Sequence, residues 1–419
     1  MRKCALQENM RILVADDTAL GKTYSFVGGK VQLDKDTGKK HNALVLSPNS
    51  GLEDAWHPDE INRYAEYLGG GPQRVVTVRD MNDLEKIDAH TDFGVINWDK
   101  LSFMPEKSPR WAALLGAIER QNTQVYGLDE CHQAKSSNSN RGQAMRRLID
   151  YTINHYVMMM SATPGPNRYR DFGIIFQMLD PEEYKSPEMF LHSGPEIIKE
   201  LLERQCWFRL TREQMKDELG LPDWEYKDIP VTMKDHEVET YFKAWADCVM
   251  LGDGLNQLRL SLYDPRLTRY GAGLDEGSSR LEAMVDVADT AIRRGEKVAV
   301  KTNYVTNVLD GMIDAFNKRG HDALFVTGDV SKKDREAIYW QYKNNSKKNV
   351  LIFSSVGEES IDLTTGDIPV SLLYTEPPIT PREKRQTSGR FIRPDQNGKV
   401  TIYNFLPESA VLNDMMTRY

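Results

Sequence analysis

Continuous apolar runs alternate with longer amphipathic stretches along most of this chain. RILVA at 11–15, ALVLS at 43–47, RVVTV at 74–78, FGVIN at 93–97, QVYGLD at 124–129 and HYVMMMSA at 155–162 are bounded by turn residues. Strands buried on both faces read this way, because alternate side chains point to opposite faces and both must be apolar. The helical stretches between them predict crossovers, and hence a doubly wound parallel sheet. After Pro164 the pattern turns helical to about Gly220, and LPDWEYKDIPVTM at 221–233 predicts a connection followed by a strand. A helical insertion near 234–275 comes next. Alternation then resumes with KVAVKT at 297–302, ALFVTG at 323–328, NVLIFSS at 349–355, PVSLLYTE at 369–376 and KVTIYNFL at 399–406. The expected organisation is two α/β lobes, 1–222 and 223–419.

Length supports this division, since 419 residues exceed one ordinary core. Residues are 40% hydrophobic and 28% charged, with no apolar run long enough to span a bilayer, so no membrane role is expected. MRKCALQENMRILVAD does not resemble a cleaved signal, which points to a cytoplasmic protein, nucleoid-associated or in a host cytoplasm if the source is viral. Cys4, Cys131, Cys206 and Cys248 form no C-x-x-C pair, and the histidines show no metal-ligand spacing. The net charge of −8 argues against a uniformly basic coat but leaves room for a local basic cleft.

Candidate chemistry begins with ADDTALGKTYSF, Ala15 to Phe26. It matches the phosphate-loop pattern G-x-x-x-x-G-K-[ST] except that Asp16 stands at the first glycine. Gly21 permits close backbone approach, Lys22 reaches the β and γ phosphates, and Thr23 offers a hydroxyl to magnesium. On this fragment alone, a chance G-K-T at a helix start remains open. VYGLDECHQAK, Val125 to Lys135, supplies the complement: Asp129 at a strand end can hold magnesium while Glu130 orients or deprotonates water. His132 is then a coupling residue. The methionines of VMMMSATP read as core filler, and Ser161 and Thr163 put hydroxyls at the next strand end. In QTSGRFIRP at 386–394, the spacing puts Arg390 and Arg393 on one helical face with Gln386 a turn earlier. Such a pair either forms a solvated face or neutralises γ-phosphate charge.

Taken together these segments resemble the superfamily 2 helicases, specifically the Swi/Snf-type DNA translocases. ADDTALGKT, LSPNSGLEDAWHPDEI, VINWDKL, LDECHQAK and SATP stand in the order of motifs I, Ia, Ib, II and III. KVAVKTNY, SSVGEESIDLTT and QTSGRFIRP follow as IV, V and VI. The Asp16-Asp17 pair, the spacing from Pro48 to Trp56 to Glu60, and LTREQMKDELGLP favour the Swi/Snf type. The resemblance implies two RecA-like lobes with an interlobe ATP cleft, and ATP and Mg2+ as cofactors. It makes Gly21, Lys22 and Thr23 phosphate and magnesium residues, with Asp129 the magnesium carboxylate and Glu130 the base. Gln386, Arg390 and Arg393 approach the nucleotide, and Asp362 touches the ribose or couples to Arg390. Nucleic-acid contacts are expected around Pro48, Asn49, Asn97, Trp98, Lys301, Thr302, Thr327, Gly328 and Ser355. The implied partner is double-stranded DNA, with single-stranded DNA or RNA as alternatives.

Three departures from the family pattern stand out. Only Met1 to Val14 precede Ala15 where the family has a glutamine-bearing adenine-recognition segment, for which Gln7 is a weak substitute. A partner chain supplying adenine recognition is one expectation, and weak discrimination between ATP and GTP by the isolated chain is another. Glu358 and Ser360 replace favoured glycines of motif V, and Ile379-Thr380 replace a tryptophan before Pro381. Alternatives to a duplex translocase are a strand-separating DNA or RNA helicase and a nucleotide-sensing scaffold without turnover.

Overall fold

The computed structural model describes residues 10–102, 107–134, 139–165, 169–190, 194–204, 207–251, 255–271, 278–303, 308–354, 362–378 and 380–408. The chain divides into two compact units, Met1–Gln214 and Met215–Tyr419.

In the first unit, strands β1 (Arg11–Val14), β2 (Asn42–Ser47), β3 (Val75–Val78), β4 (Phe93–Asn97), β5 (Thr123–Asp129), β6 (Tyr156–Met160) and β7 (Trp207–Phe208) form one sheet. Its order is β3-β4-β2-β5-β6-β1-β7, and every pairing is parallel. Alternation along the strands divides the core into two faces. Leu13, Leu44, Leu46, Tyr126, Leu128, Val157 and Met159 pack on one, with Trp98, Trp111 and Phe176. Ile12, Val14, Ala43, Val45, Val125, Met158 and Met160 pack on the other, with Phe26 and Trp56. The three methionines of β6 thus fill both faces, and each such burial contributes about 1.5–3 kcal/mol. Gly127 lies in β5 under Phe26 of the Lys22–Thr37 helix, where a Cβ would come within 2.8 Å of the ring.

The second unit carries β8 (Trp224–Val231), β9 (Lys297–Lys301), β10 (Ala323–Val326), β11 (Val350–Phe353), β12 (Val370–Tyr374) and β13 (Val400–Pro407). Their order is β10-β11-β9-β12-β13-β8, again parallel throughout. Val298, Val300, Ile352 and Leu373 face one core, while Ala299, Leu351, Phe353 and Leu372 face the other. Helices Asp235–Leu251 and Leu255–Tyr263 follow β8 and build a small core of their own around Tyr241, Ala244 and Leu258.

Several strands stop short of their apolar runs. β6 ends at Met160 and β10 at Val326, so Ser161 and Thr327 fall in the loops at the carboxyl ends of the sheets. Ligands of open α/β sheets bind at that edge.

Candidate nucleotide site

After β1 the chain turns through a loop into the Lys22–Thr37 helix, whose N-cap is Gly21. Gly21 has φ 76°, a left-handed conformation that glycine adopts without penalty. No side chain caps this helix, so its first amide N–H groups face the loop. The Lys22 ammonium donates to the carbonyls of Asp16 at 2.9 Å and Asp17 at 3.1 Å, so it spans the loop. Thr23 is half-buried in the same turn.

Asp16, at the position of the missing glycine, has a structural task. Its carboxylate accepts the Leu210 N–H at 2.7 Å, and Asp17 accepts the Arg212 N–H at 3.3 Å. Arg212, buried itself, donates to the Thr18 hydroxyl at 3.0 Å and its carbonyl at 3.3 Å. Burial raises the Asp16 pKa, against the Leu210 N–H and the Lys22 charge. The LTREQ segment therefore latches the loop, and residues from β7 to Arg212 take the place of glycine flexibility.

At the end of β5, the Asp129 Oδ2 accepts the Trp56 indole N–H at 2.8 Å and the Ser47 hydroxyl at 3.2 Å. Burial first, and then the charge of Glu130, push the Asp129 carboxyl up to about 6, while Trp56, Lys22 and Ser47 oppose the shift. Lys22 and Asp129 are thus close enough for their charges to act on one another. A Cβ on Gly51 would run into the Ser47 hydroxyl and press on Trp56, so glycine there lets the Pro48–Trp56 segment close on Asp129. Sequence reasoning missed Ser47, Gly51 and Trp56 as supports of the carboxylate, although the spacing from Pro48 to Trp56 marked the segment.

Glu130 has φ 48° and Ala19 φ 68°, two non-glycine residues in the left-handed region. Backbone strain of this kind clusters at functional sites. The Glu130 carboxylate lies 3.0 Å from His132 Nδ1, and that nitrogen is 2.8 Å from the Ser161 hydroxyl. Ser161 Oγ also accepts the Thr163 N–H at 3.1 Å. His132, buried, therefore links the end of β5 to the loop after β6.

In the second unit, the helix holding Gln386 runs only from Pro381 to Ser388. Arg390 and Arg393 lie in the turns beyond it, which corrects the expectation of one helical face. Gly389 and Pro394 explain the break, since neither suits a helix interior, and Phe391 and Ile392 are buried in the core beyond it. Arg393 Nε donates to the Gly389 carbonyl at 3.1 Å. Asp362 accepts from Lys343 at 2.9 Å and from the Thr364 amide at 2.9 Å. Burial raises its pKa, but the Thr364 amide and Lys343 outweigh it and hold the carboxyl below its ordinary value.

The positions expected at nucleic acid fall into two groups. Asn97, Trp98, Lys301, Thr302 and Thr327 are buried. Trp98 in particular is core: its indole N–H donates to the Asp129 carbonyl at 2.7 Å. Lys301 donates to Asn303 Oδ1 at 2.6 Å. Asn49 and Gly328 are exposed and Pro48 half-exposed. Ser355, Glu358, Ser360, Ile379 and Gln7 lie outside the described residues. Three basic side chains are engaged locally: Arg141 pairs with Asp99, Lys348 with Asp322, and Arg335 donates to the Val330 carbonyl at 2.8 Å. Among the described residues no cluster of His, Cys, Asp and Glu has metal-site form, and no helix is long and apolar enough to cross a membrane.

A family model for the SNF2-related domain matches residues 1–264, and one for the helicase conserved C-terminal domain matches residues 279–395. An "Uncharacterized ATP-dependent helicase" of Mycoplasma pneumoniae is 20% identical, the match covering 95% of this chain and 38% of that protein. The SWI/SNF-related matrix-associated actin-dependent regulator of chromatin subfamily A-like protein 1 of Xenopus laevis is 22% identical, over 95% of this chain and 40% of its own length. The chain thus spans about two fifths of these relatives. The helicase domain of Pyrococcus furiosus Hef has the same fold at a TM-score of 0.58 and 15% identity, covering 99% of this chain and 95% of that one. With two parallel sheets as tandem RecA-like lobes and the SNF2-related domain matched over more than half its length, the chain belongs to the SNF2-related family of superfamily 2.

Proposed function

We propose that this chain is a nucleic-acid-dependent ATPase that couples ATP hydrolysis to movement along duplex DNA. The observation that carries the reading is the convergence of Lys22, Asp129 and Glu130 at the carboxyl ends of β1 and β5, with Glu130 tied to His132 and Ser161. Lys22 and the open amides of the Lys22–Thr37 helix hold the phosphates. Glu130 takes the proton of the attacking water, and His132 and Ser161 keep its carboxylate oriented. A hydroxyl and a carboxylate held by two donors suit a hard divalent cation, so Thr23 and Asp129 are the residues that would bind magnesium. A magnesium ion held by these two residues would supply charge neutralisation for bound phosphates. Gln386, Arg390 and Arg393 are assigned to the transition-state charge, and Asp362 to positioning within the second unit. Pro48, Asn49 and Gly328 are the surface positions retained as nucleic-acid contacts.

Glu130→Gln tests this reading. The variant should bind ATP as the parent does and lose turnover by about a hundredfold or more, since general-base catalysis contributes ~10²–10⁴. Unchanged turnover removes Glu130 as the base. Arg393→Ala should likewise spare binding and slow the single-turnover chemical step, and a variant that hydrolyses ATP at the parent rate contradicts its assignment.

A further inference from the structure

In the second unit, Arg335, Tyr339 and Lys343 stand four residues apart along the Lys332–Asn344 helix and so share one face. Each reaches a different segment. Arg335 donates to the carbonyls of Val330 at 2.8 Å and Gly328 at 3.1 Å, in the loop after β10. Tyr339 is buried in the core that holds Leu363, Phe391 and Ile392. Burial pushes its phenol up to about 12, and the charges of Arg335 and Arg390 oppose the shift, so Arg390 stands near it. Lys343 donates to Asp362 at 2.9 Å, and Asp362 also accepts the Thr364 amide at 2.9 Å and hydroxyl at 3.0 Å. One residue on, the Leu363 N–H donates to the Arg390 carbonyl at 3.1 Å. With the Pro381–Ser388 helix ended, Arg390 is thus held through the segment that Lys343 ties down.

We propose that Lys343 is a positioning residue for hydrolysis: by holding Asp362 it fixes the Asp362–Thr364 segment, and through Leu363 it sets where Arg390 stands when charge develops on the phosphate. The inference rests on the proposed assignment of Arg390 to the transition state. Lys343 touches no substrate. Its pair with Asp362 is partly exposed, at 26% and 40%, and ion pairs of that kind add little to stability. Losing Lys343 should therefore leave the fold intact and be read in the rate.

The test is single-turnover ATP hydrolysis by the full chain, in the nucleic-acid condition where the parent is fastest, with calorimetric titration of MgATP and magnesium tripolyphosphate on the same proteins. Lys343→Met should slow the chemical step by about tenfold, within the range that small misplacements produce, while both ligands bind at parent strength. Lys343→Arg can still donate to Asp362 and should restore most of the rate. Combining Lys343→Met with Arg390→Ala should be no slower than Arg390→Ala alone, because Lys343 acts through Arg390. A parent rate in Lys343→Met overturns the inference, as does equal slowing by Lys343→Met and Lys343→Arg, or slowing that adds in full to that of Arg390→Ala. If Lys343→Met unfolds at a lower midpoint, Asp362→Asn decides from the other side of the pair: slowing with parent-strength binding supports the inference, and a parent rate overturns it. A parent rate in Arg390→Ala would instead remove Arg390 from the transition state, a failure of the functional reading that a slow Lys343→Met could not repair.

Discussion

Asp129, proposed to hold magnesium, shows how far a carboxylate rests on neighbours outside its own segment. Its carboxylate depends on Ser47 and Trp56, and they depend on a glycine at position 51. Gly51→Ala should displace both donors and lower the ATPase kcat by about ten- to a hundredfold, the scale on which small misplacements act. A steady-state assay with matched tripolyphosphate binding checks this, and an unchanged kcat contradicts it. Gly21→Ala should cost about 1–2 kcal/mol through its left-handed φ, measured by denaturant unfolding. At this scale the sequence displayed Gly21, Lys22, Asp129 and Glu130 openly, since phosphate loops need those residue types at fixed spacing. It concealed the roles of Trp56 and Ser47, because a donor to a carboxylate can come from any element that folding brings near. Trp98, named among the positions around which nucleic acid was expected, lies in the core with its N–H on the Asp129 carbonyl.

Among the elements, the strands were the most legible, because a sheet buried on both faces demands unbroken apolar runs. β7, only Trp207 and Phe208, was invisible to periodicity, yet it pairs with β1 and introduces the segment that latches the loop. Arg212→Ala removes the bonds to Thr18 and should weaken ATP binding by about tenfold or more, on the scale of ~1.5–3 kcal/mol for hydrogen bonds from a charged group. Equal affinity in the same calorimetric titration would show that the loop holds itself. The second miss was the helix end at Ser388. Three-residue spacing suggested a continuing face, but Gly389 and Pro394, neither of which suits a helix interior, bracket the arginines, and the helix ends before them. Gly127→Ala tests packing at this scale: forcing a methyl under Phe26 should destabilise the first unit by about 1–3 kcal/mol, seen as a lower unfolding midpoint.

For the whole molecule, two RecA-like units of the SNF2-related family set the expectation of a motor, and the net charge of −8 sets a condition on it. Any grip on a phosphate backbone must come from local patches, so stimulation by DNA should fall steeply as salt rises. Tandem lobes were legible from the repeated strand–helix alternation; the partner nucleic acid was not, because phosphate contacts carry no signature distinguishing duplex from single strand. The most direct measurement is steady-state ATP hydrolysis by the parent and Glu130→Gln proteins with no nucleic acid, duplex DNA, single-stranded DNA and RNA, at low and high salt. Strong, salt-sensitive stimulation of the parent by duplex DNA, abolished in Glu130→Gln, is the predicted result. Stimulation by single strands or RNA alone, or no hydrolysis under any condition, would contradict a duplex-tracking motor.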